Sequence, residues 1–341
     1  MTHTFNLVPN QQITPERFFS AVNSYQLTEA IKSAIELEIF TAITEGNTTS
    51  ETISKRCQAT ERGVRILCDF LTIHGFLTKQ GAAYSLPEDS ALFLDRHSPA
   101  YVGSAIEFLL TPRLLECHAH LTEAVRRGGT ALGEGMFDPE SPDWAKYALA
   151  MMPMARRPAE IIATELRKDS EAHKVLDIAA SHGMFGISVA KQNPAAHIYA
   201  SDWENVLEVA QKNADAMGVG DRYHLIPGSA FETEFGNGYD LALVTNLLHG
   251  FDAPTCTRLM RKVSAALNPG GRAAIAEYVP NPDRVSPPTA AAFSLTMLAA
   301  TPSGDAYTYA DLEGISKAAG FVRVDLSSVE LGRNRLVIAY R

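Results

Sequence analysis

Val175-Leu-Asp-Ile-Ala-Ala-Ser-His-Gly-Met-Phe-Gly-Ile-Ser-Val-Ala-Lys-Gln is an apolar run, a turn of small residues and a second apolar run. Residues 175–179 predict a strand buried on both faces, and residues 184–192 predict a helix. A strand, a small-residue turn and a helix place backbone amides and a helix N-terminus at the carboxyl end of the strand. Small residues such as Ala179, Ser181 and Gly183 let a ligand approach that backbone closely. The turn therefore marks a binding edge as well as a fold.

The same texture continues outward. Strands are expected at 197–201, 223–226, 240–245 and 273–278, with helices at 206–217 and 254–267. Such alternation implies a mostly parallel sheet covered by helices on both faces. The chain ends with a helix at 309–319 and strands at 321–326 and 335–340. Gly332-Arg333-Asn334 between those strands reads as a hairpin turn. The expected fold class is α/β, a doubly wound, mostly parallel, seven-stranded sheet with a helical N-terminal domain.

Asp202 directly follows the second strand, where a carboxylate can accept both hydroxyl hydrogens of a ribose. Ser229, Ala230 and Phe231 follow the third strand, where adenine could lie against the phenyl ring. Asp177 and Thr245, at the first and fourth strands, complete the expected cofactor-binding set. Trp203 has two readings, packing on adenine or capping the next helix. His182 also has two, ligand contact or a solvent-facing turn. A nicotinamide dinucleotide site shares this logic but needs G-x-G-x-x-G. Here only Gly183 and Gly186 are present, with Ala179 and Ser181 at the earlier positions, which argues against it.

Upstream, residues 15–125 read as helical. Ala30, Ile31, Ala34, Ile35, Leu37 and Ile39 form a helix-spaced apolar face. Helices start near Thr49 or Ser50 and at Thr60, and a Gly-turn hairpin follows from Gly75. That outline is a winged helix, which either enters DNA or pairs with protein. The second helix carries Glu61 and Asp69 beside Arg62 and Arg65, so its face is not basic. The chain's net charge of −9 agrees, because a nucleic-acid surface needs local positive potential. Pairing with a second subunit is the expectation, with no nucleic acid as partner.

Residues 100–168 read as further helices, interrupted by a loop carrying Gly128, Gly129, Gly133, Gly135, Pro139 and Pro142. The stretch Tyr147-Ala-Leu-Ala-Met-Met-Pro-Met-Ala-Arg is rich in methionine. Thioethers can line a pocket for an apolar ligand, although helix core is the plainer reading. Met152, Met154, Phe293 and Met297 are the candidate substrate contacts. The expected organisation is a pairing domain over 1–125, a helical connector over 126–168 and a cofactor-binding domain over 169–341.

The remaining features exclude function classes. Hydrophobic residues make up 46% of the 341 residues and charged residues 20%, as in a globular protein. Cys57, Cys68, Cys117 and Cys256 form no C-x-x-C pair, so they suggest free thiols in a reducing compartment. No basic segment followed by an apolar run begins the chain, and the apolar run 289–300 is too short to span a bilayer. A cytoplasmic protein without a membrane partner is expected. His118 and His120 lie two apart and do not share a helix face, so no metal is expected.

The chain resembles the small-molecule O-methyltransferases of caffeate and hydroxyneurosporene type. The resemblance rests on the order and spacing of Val175-Leu-Asp-Ile-Ala-Ala-Ser-His-Gly, Ser201-Asp-Trp, Pro227-Gly-Ser-Ala-Phe, Asn246-Leu-Leu-His-Gly-Phe-Asp, Leu267-Asn-Pro-Gly-Gly and Ala318-Ala-Gly-Phe. It implies S-adenosyl-L-methionine as cofactor and a homodimer with interlocked N-terminal helices. It also implies His249 as general base, steered by Glu277. Imidazole can take a hydroxyl proton near neutral pH, and a carboxylate on its other nitrogen fixes the tautomer.

Three departures from the family pattern stand out. The glycine-rich turn has become Ala-Ala-Ser-His-Gly, which fits if φ stays negative at Ala179 and Ser181. Gly250 replaces an aspartate. A second steering carboxylate has become Ala306, so that either Asp305 beside it substitutes by a small shift or the second carboxylate is gone. The expected reaction is methyl transfer to a hydroxyl of an apolar, aromatic or polyketide-like small molecule. Two other readings remain open at this point: non-methylating chemistry on the same cofactor, and a ligand-sensing winged-helix regulator.

Overall fold

The computed structural model describes residues 14–133, 143–168 and 172–341. The stretch before residue 14 and the loop positions Gly135, Pro139 and Pro142 lie outside the described residues. The chain divides into two compact units, Met1–Gly103 and Ser104–Arg341.

The first unit is helical with one small hairpin. Helices Ser50–Arg56 and Glu61–Ile73 are followed by β1 (Thr78–Gln80) and β2 (Ala83–Ser85), which pair antiparallel. Thr49 caps the first helix through the backbone N–H of Thr52, and Thr60 caps the second through Gly63. Ile39, Phe40, Ile53, Val64 and Leu71 are buried at its centre. Asp69 accepts from Tyr84 at 2.7 Å and pairs with Arg65 at 3.1 Å and Lys79 at 2.5 Å. Two of the cations in the helix–hairpin unit are thus neutralised within it.

The second unit holds the sheet. Its strands are β3 (Lys174–Ile178), β4 (His197–Asp202), β5 (Tyr223–Pro227), β6 (Tyr239–Thr245), β7 (Leu267–Glu277), β8 (Arg323–Leu326) and β9 (Arg335–Tyr340). Their order is β5-β4-β3-β6-β7-β9-β8. The pairs β5–β4, β4–β3, β3–β6 and β6–β7 are parallel, and β9 is antiparallel to both β7 and β8. This is the doubly wound seven-stranded sheet expected from the sequence.

Its central strands are almost wholly buried, since helices cover both faces. Ile162, Leu176, Ile187, Ile198, Leu243 and Ile275 are fully or nearly fully buried. The order reverses between β3 and β4 on one side and β6 on the other. A doubly wound sheet opens a crevice at that reversal, outside the strands' carboxyl ends. No helix among the described residues is long and apolar enough to cross a membrane.

Candidate active site

A cavity of about 580 Å³ lies in the second unit at these carboxyl ends. Its wall combines the turn after β3, the ends of β4 and β6, the loop after β5, and helices Asp143–Arg167 and Pro288–Ala300.

The turn after β3 has a firm base. Asp177 is fully buried, and its Oδ2 accepts the backbone N–H of Gly186 at 3.1 Å. Burial pushes its carboxyl up to about 7, the Gly186 hydrogen bond opposes this, and Asp202 adds to it. Both retained glycines have steric reasons. A Cβ on Gly186 would meet Ile198 at 2.6 Å and the Asp177 carboxylate at 2.7 Å. Gly183 has φ of +77°, and its Cβ would meet the Tyr223 hydroxyl at 2.8 Å.

The replaced glycines behave differently from the sequence expectation. Ala179 has φ of +53° and Ser181 of +52°, so the turn keeps its left-handed geometry although the side chains disfavour it. The ligand-binding shape is retained at a cost of ~1–2 kcal/mol per residue. Glycine gives back part of this through its larger unfolded-state entropy. Ala179→Gly is therefore expected to stabilise the protein by about 0.5–1 kcal/mol in urea denaturation. A loss of stability would show that the turn is not strained.

Asp202 ends β4 on the cavity wall. Its Oδ2 accepts from the Ser181 N–H at 2.8 Å and its Oδ1 from the Trp203 N–H at 2.7 Å. Burial pushes the carboxyl up to about 6, and the two backbone donors oppose the shift. Each oxygen keeps a second acceptor direction. Ser181 Oγ and Ser201 Oγ are buried in the same wall with no partner among the described residues. Ala179, Trp203, Ser229, Ala230, Phe231 and Thr245 also line the cavity, whereas Asp177 and Gly183 support the turn from behind.

His182 is not a solvent-facing turn residue, being only 5% exposed. Its Nδ1 accepts the backbone N–H of Met184 at 3.1 Å, which leaves the proton of the neutral ring on Nε2. Burial pushes this imidazole down to about 4. Trp203 is the N-cap residue of Glu204–Ala216 but makes no side-chain cap bond. Its ring packs beside Ala148, Val206 and Val209.

At the end of β6, Asn246 has φ of +52° and the chain turns into a short 3₁₀ segment, Leu248–Gly250. This brings His249 over the end of β7. Its Nδ1 lies 2.6 Å from Glu277 Oε2. The other carboxylate oxygen accepts from the backbone N–H of Leu247 at 2.8 Å and of Leu248 at 2.7 Å. Glu277 is 1% exposed and His249 8%, and only His249 reaches the cavity wall. A carboxylate can only accept, so in a neutral ring held this way the proton would sit on Nδ1 and leave Nε2 as the acceptor.

Asp305 is placed elsewhere. It pairs with Arg284 at 3.1 Å, which also binds Asp311 at 2.8 Å, and it does not line the cavity. Ala306 is fully buried. Gly304 explains the path of this segment, because a Cβ there would sit 2.2 Å from the His249 carbonyl.

Of the candidate substrate contacts, Met154, Phe293 and Met297 line the cavity, while Met152 packs against the core beside it. Phe293 stands edge-on to His249 at 4.9 Å and stacks on Tyr278 at 4.0 Å. The sequence reading missed Phe108, Trp144, Tyr147, Tyr278 and Arg333, all on the wall. For Trp144 and Tyr147 a signal was available. They lie three apart on one helix with Met151 and Met154 following at helical spacing, which gives an aromatic and thioether stripe.

A family model described as an O-methyltransferase domain matches residues 118–322, and one described as an O-methyltransferase dimerisation domain matches residues 19–96. The crystal structure of a candidate O-methyltransferase from Nostoc punctiforme superposes with a TM-score of 0.94 at 50% identity, covering 97% of this chain and 100% of that one. Human N-acetylserotonin methyltransferase, solved with S-adenosylmethionine, has the same fold with a TM-score of 0.84 at 18% identity, covering 98% and 99%. The tetracenomycin polyketide synthesis 8-O-methyltransferase of Streptomyces glaucescens is 25% identical over 310 residues, covering 89% of this chain and 90% of that one.

Proposed function

Because this chain belongs to the O-methyltransferase family, we propose that it transfers the methyl group of S-adenosylmethionine to a hydroxyl of an apolar, aromatic small molecule, with His249 as general base. The observation that carries this reading is the buried His249–Glu277 pair, in which Glu277 occupies Nδ1 and His249 lines the cavity.

The residues present fit the cofactor. Asp202 retains acceptor capacity on both oxygens for a ribose diol. Ser181 Oγ and Ser201 Oγ are buried polar atoms still lacking a partner, and such atoms are rare unless a ligand or water satisfies them. The left-handed turn at Ala179 and Ser181 exposes backbone to the cavity, and Trp203 and Phe231 offer aromatic surface for adenine. When bound, S-adenosylmethionine supplies an electrophilic methyl group on a sulfonium.

The protein's own part is to prepare the acceptor. His249 Nε2 takes the hydroxyl proton as the oxygen becomes nucleophilic. The resulting imidazolium is stabilised by Glu277, whose second oxygen is held by two backbone amides and cannot swing away. The apolar wall of Phe293, Met297 and Met154 excludes water from the proton transfer. Asp305 has no part in this scheme, being held by Arg284. A single carboxylate steers the base.

Glu277→Gln tests the steering directly. The amide carbonyl can still accept from Leu247 and Leu248, but its NH₂ would face Nδ1 and drive the proton onto Nε2. Turnover is expected to fall about 10²- to 10⁴-fold with binding of S-adenosylhomocysteine unchanged. A kcat close to that of the wild type would remove Glu277 from the mechanism. The dimerisation-domain match over 19–96 supports a homodimer, and sedimentation velocity at several concentrations tests it.

A further inference from the structure

Among the described residues lining the cavity, Arg333 is the one arginine or lysine. It lies on the turn between β8 and β9, at the stretch read from sequence as an ordinary hairpin. Sheet topology explains how a hairpin turn reaches the active site. Strand β9 runs antiparallel to β7, and Arg335 pairs in register with Glu277. The residues just before Arg335 therefore sit beyond the carboxyl end of β7, on the edge where the catalytic residues emerge.

The turn is fixed there. Gly332 takes φ of +74°, and Asn334 Nδ2 donates to Asn246 Oδ1 at 2.6 Å. Burial raises the Tyr278 hydroxyl's pKa, and the nearby Arg333 guanidinium opposes the rise. Tyr278 stacks on Phe293 at 4.0 Å, and Phe293 meets His249 at 4.9 Å. A continuous aromatic surface thus runs from the base to the cation. No carboxylate among the described residues pairs with Arg333, although the chain carries 39 acidic residues against 30 basic ones. A guanidinium presents a planar fork suited to a carboxylate.

We propose that Arg333 anchors an anionic group of the methyl acceptor, so that the acceptor is a hydroxylated aromatic acid. Its ring lies along Tyr278 and Phe293, its hydroxyl meets His249, and its carboxylate meets Arg333. This inference rests on the methyl-transfer reading above. It adds charge selection at the rim of a pocket that is otherwise mainly apolar. Arg333 is itself exposed and lines the cavity from its rim, so its pull on an anion is screened by solvent.

The test separates the two readings. Binding of S-adenosylhomocysteine to the wild type is measured first. Its absence would overturn the cofactor reading and this inference with it. Three acid and methyl-ester pairs are then titrated into protein saturated with S-adenosylhomocysteine: 4-hydroxybenzoate, 3-hydroxy-2-naphthoate and 1-hydroxy-2-naphthoate. At least one acid is expected to bind about 3- to 5-fold more tightly than its ester, the range for an exposed ion pair. That preference should vanish in Arg333→Gln and return in part in Arg333→Lys, with S-adenosylhomocysteine affinity unaltered in both variants. Equal binding of acid and ester in all pairs, no binding of any probe, or an acid preference that survives Arg333→Gln would each overturn the proposal.

Discussion

Replacing His249 with alanine is expected to lower kcat/KM for methyl transfer about 10²- to 10⁴-fold, the range associated with losing a positioned general base. The loss should fall on turnover. His249, Asp202 and the turn after β3 all line the cavity, and in the proposed arrangement His249 meets the acceptor while Asp202 and the turn would hold the cofactor. Titration of His249→Ala with S-adenosylhomocysteine should therefore match the wild type. The fold should also persist, although removing the imidazole leaves the buried Glu277 with only the two backbone donors of Leu247 and Leu248. That leaves an incompletely paired buried charge, with a stability loss on the order of 1–3 kcal/mol. Circular dichroism and thermal melting separate the two effects. A variant that folds, binds S-adenosylhomocysteine and still turns over near the wild-type rate would exclude His249 as the base.

Alanine at Asp202 is expected to act on binding instead. The carboxylate would accept both ribose hydroxyls, and its own backbone donors, the Ser181 and Trp203 N–H groups, would lose their acceptor. Two charge-assisted hydrogen bonds lost together weaken binding by about two orders of magnitude. Calorimetry with S-adenosylhomocysteine measures this as a rise in Kd. The wild type should also show a pH dependence of known sign. Burial holds the Asp202 carboxyl at about 6 in the free protein, and the ionised form is the one that accepts from a diol. Affinity should then fall as pH drops through about 6 and level off above it. Asp202→Ala should lose that acid limb. An unchanged Kd in the variant would place the ribose elsewhere.

Much of the fold could be read from the sequence because the catalytic sheet is buried on both faces. Strands such as 175–179 and 240–245 are mostly apolar, and Met184–Gln192 begins where the small-residue turn ends. The β7 strand was expected to start later than it does, at Leu267, because Asn268-Pro-Gly-Gly carries turn-forming residues yet continues the strand. Asp202 and Glu277 each end a strand, where sequence position fixes spatial position, whereas His249 lies four residues past β6 on a 3₁₀ segment and was pointed to through the family resemblance.

The sequence was less informative where a side chain's role depends on a distant partner. Asp305 looked like a substitute for a missing carboxylate, but Arg284 holds it away from the cavity. Ala179 and Ser181 suggested negative φ from their chemistry, yet both take positive φ, as Gly183 does. Met152 and Met154 are two apart on one helix, so they turn to different faces, and only Met154 reaches the wall. Arg333 was invisible as a site residue because it becomes one only through the antiparallel register of β9 on β7.

The central claim is transfer of a methyl group to oxygen in this cavity. Incubating the wild-type protein and His249→Ala with S-adenosylmethionine labelled with carbon-13 in the methyl group, across a panel of hydroxylated aromatic acids and neutral phenols, tests it most directly. A labelled methyl ether is expected from the wild type, with one S-adenosylhomocysteine released per ether formed, and both should be lost in the variant. Formation of S-adenosylhomocysteine without a labelled ether, label on carbon or nitrogen instead of oxygen, or no consumption of cofactor with any acceptor in the panel would contradict it.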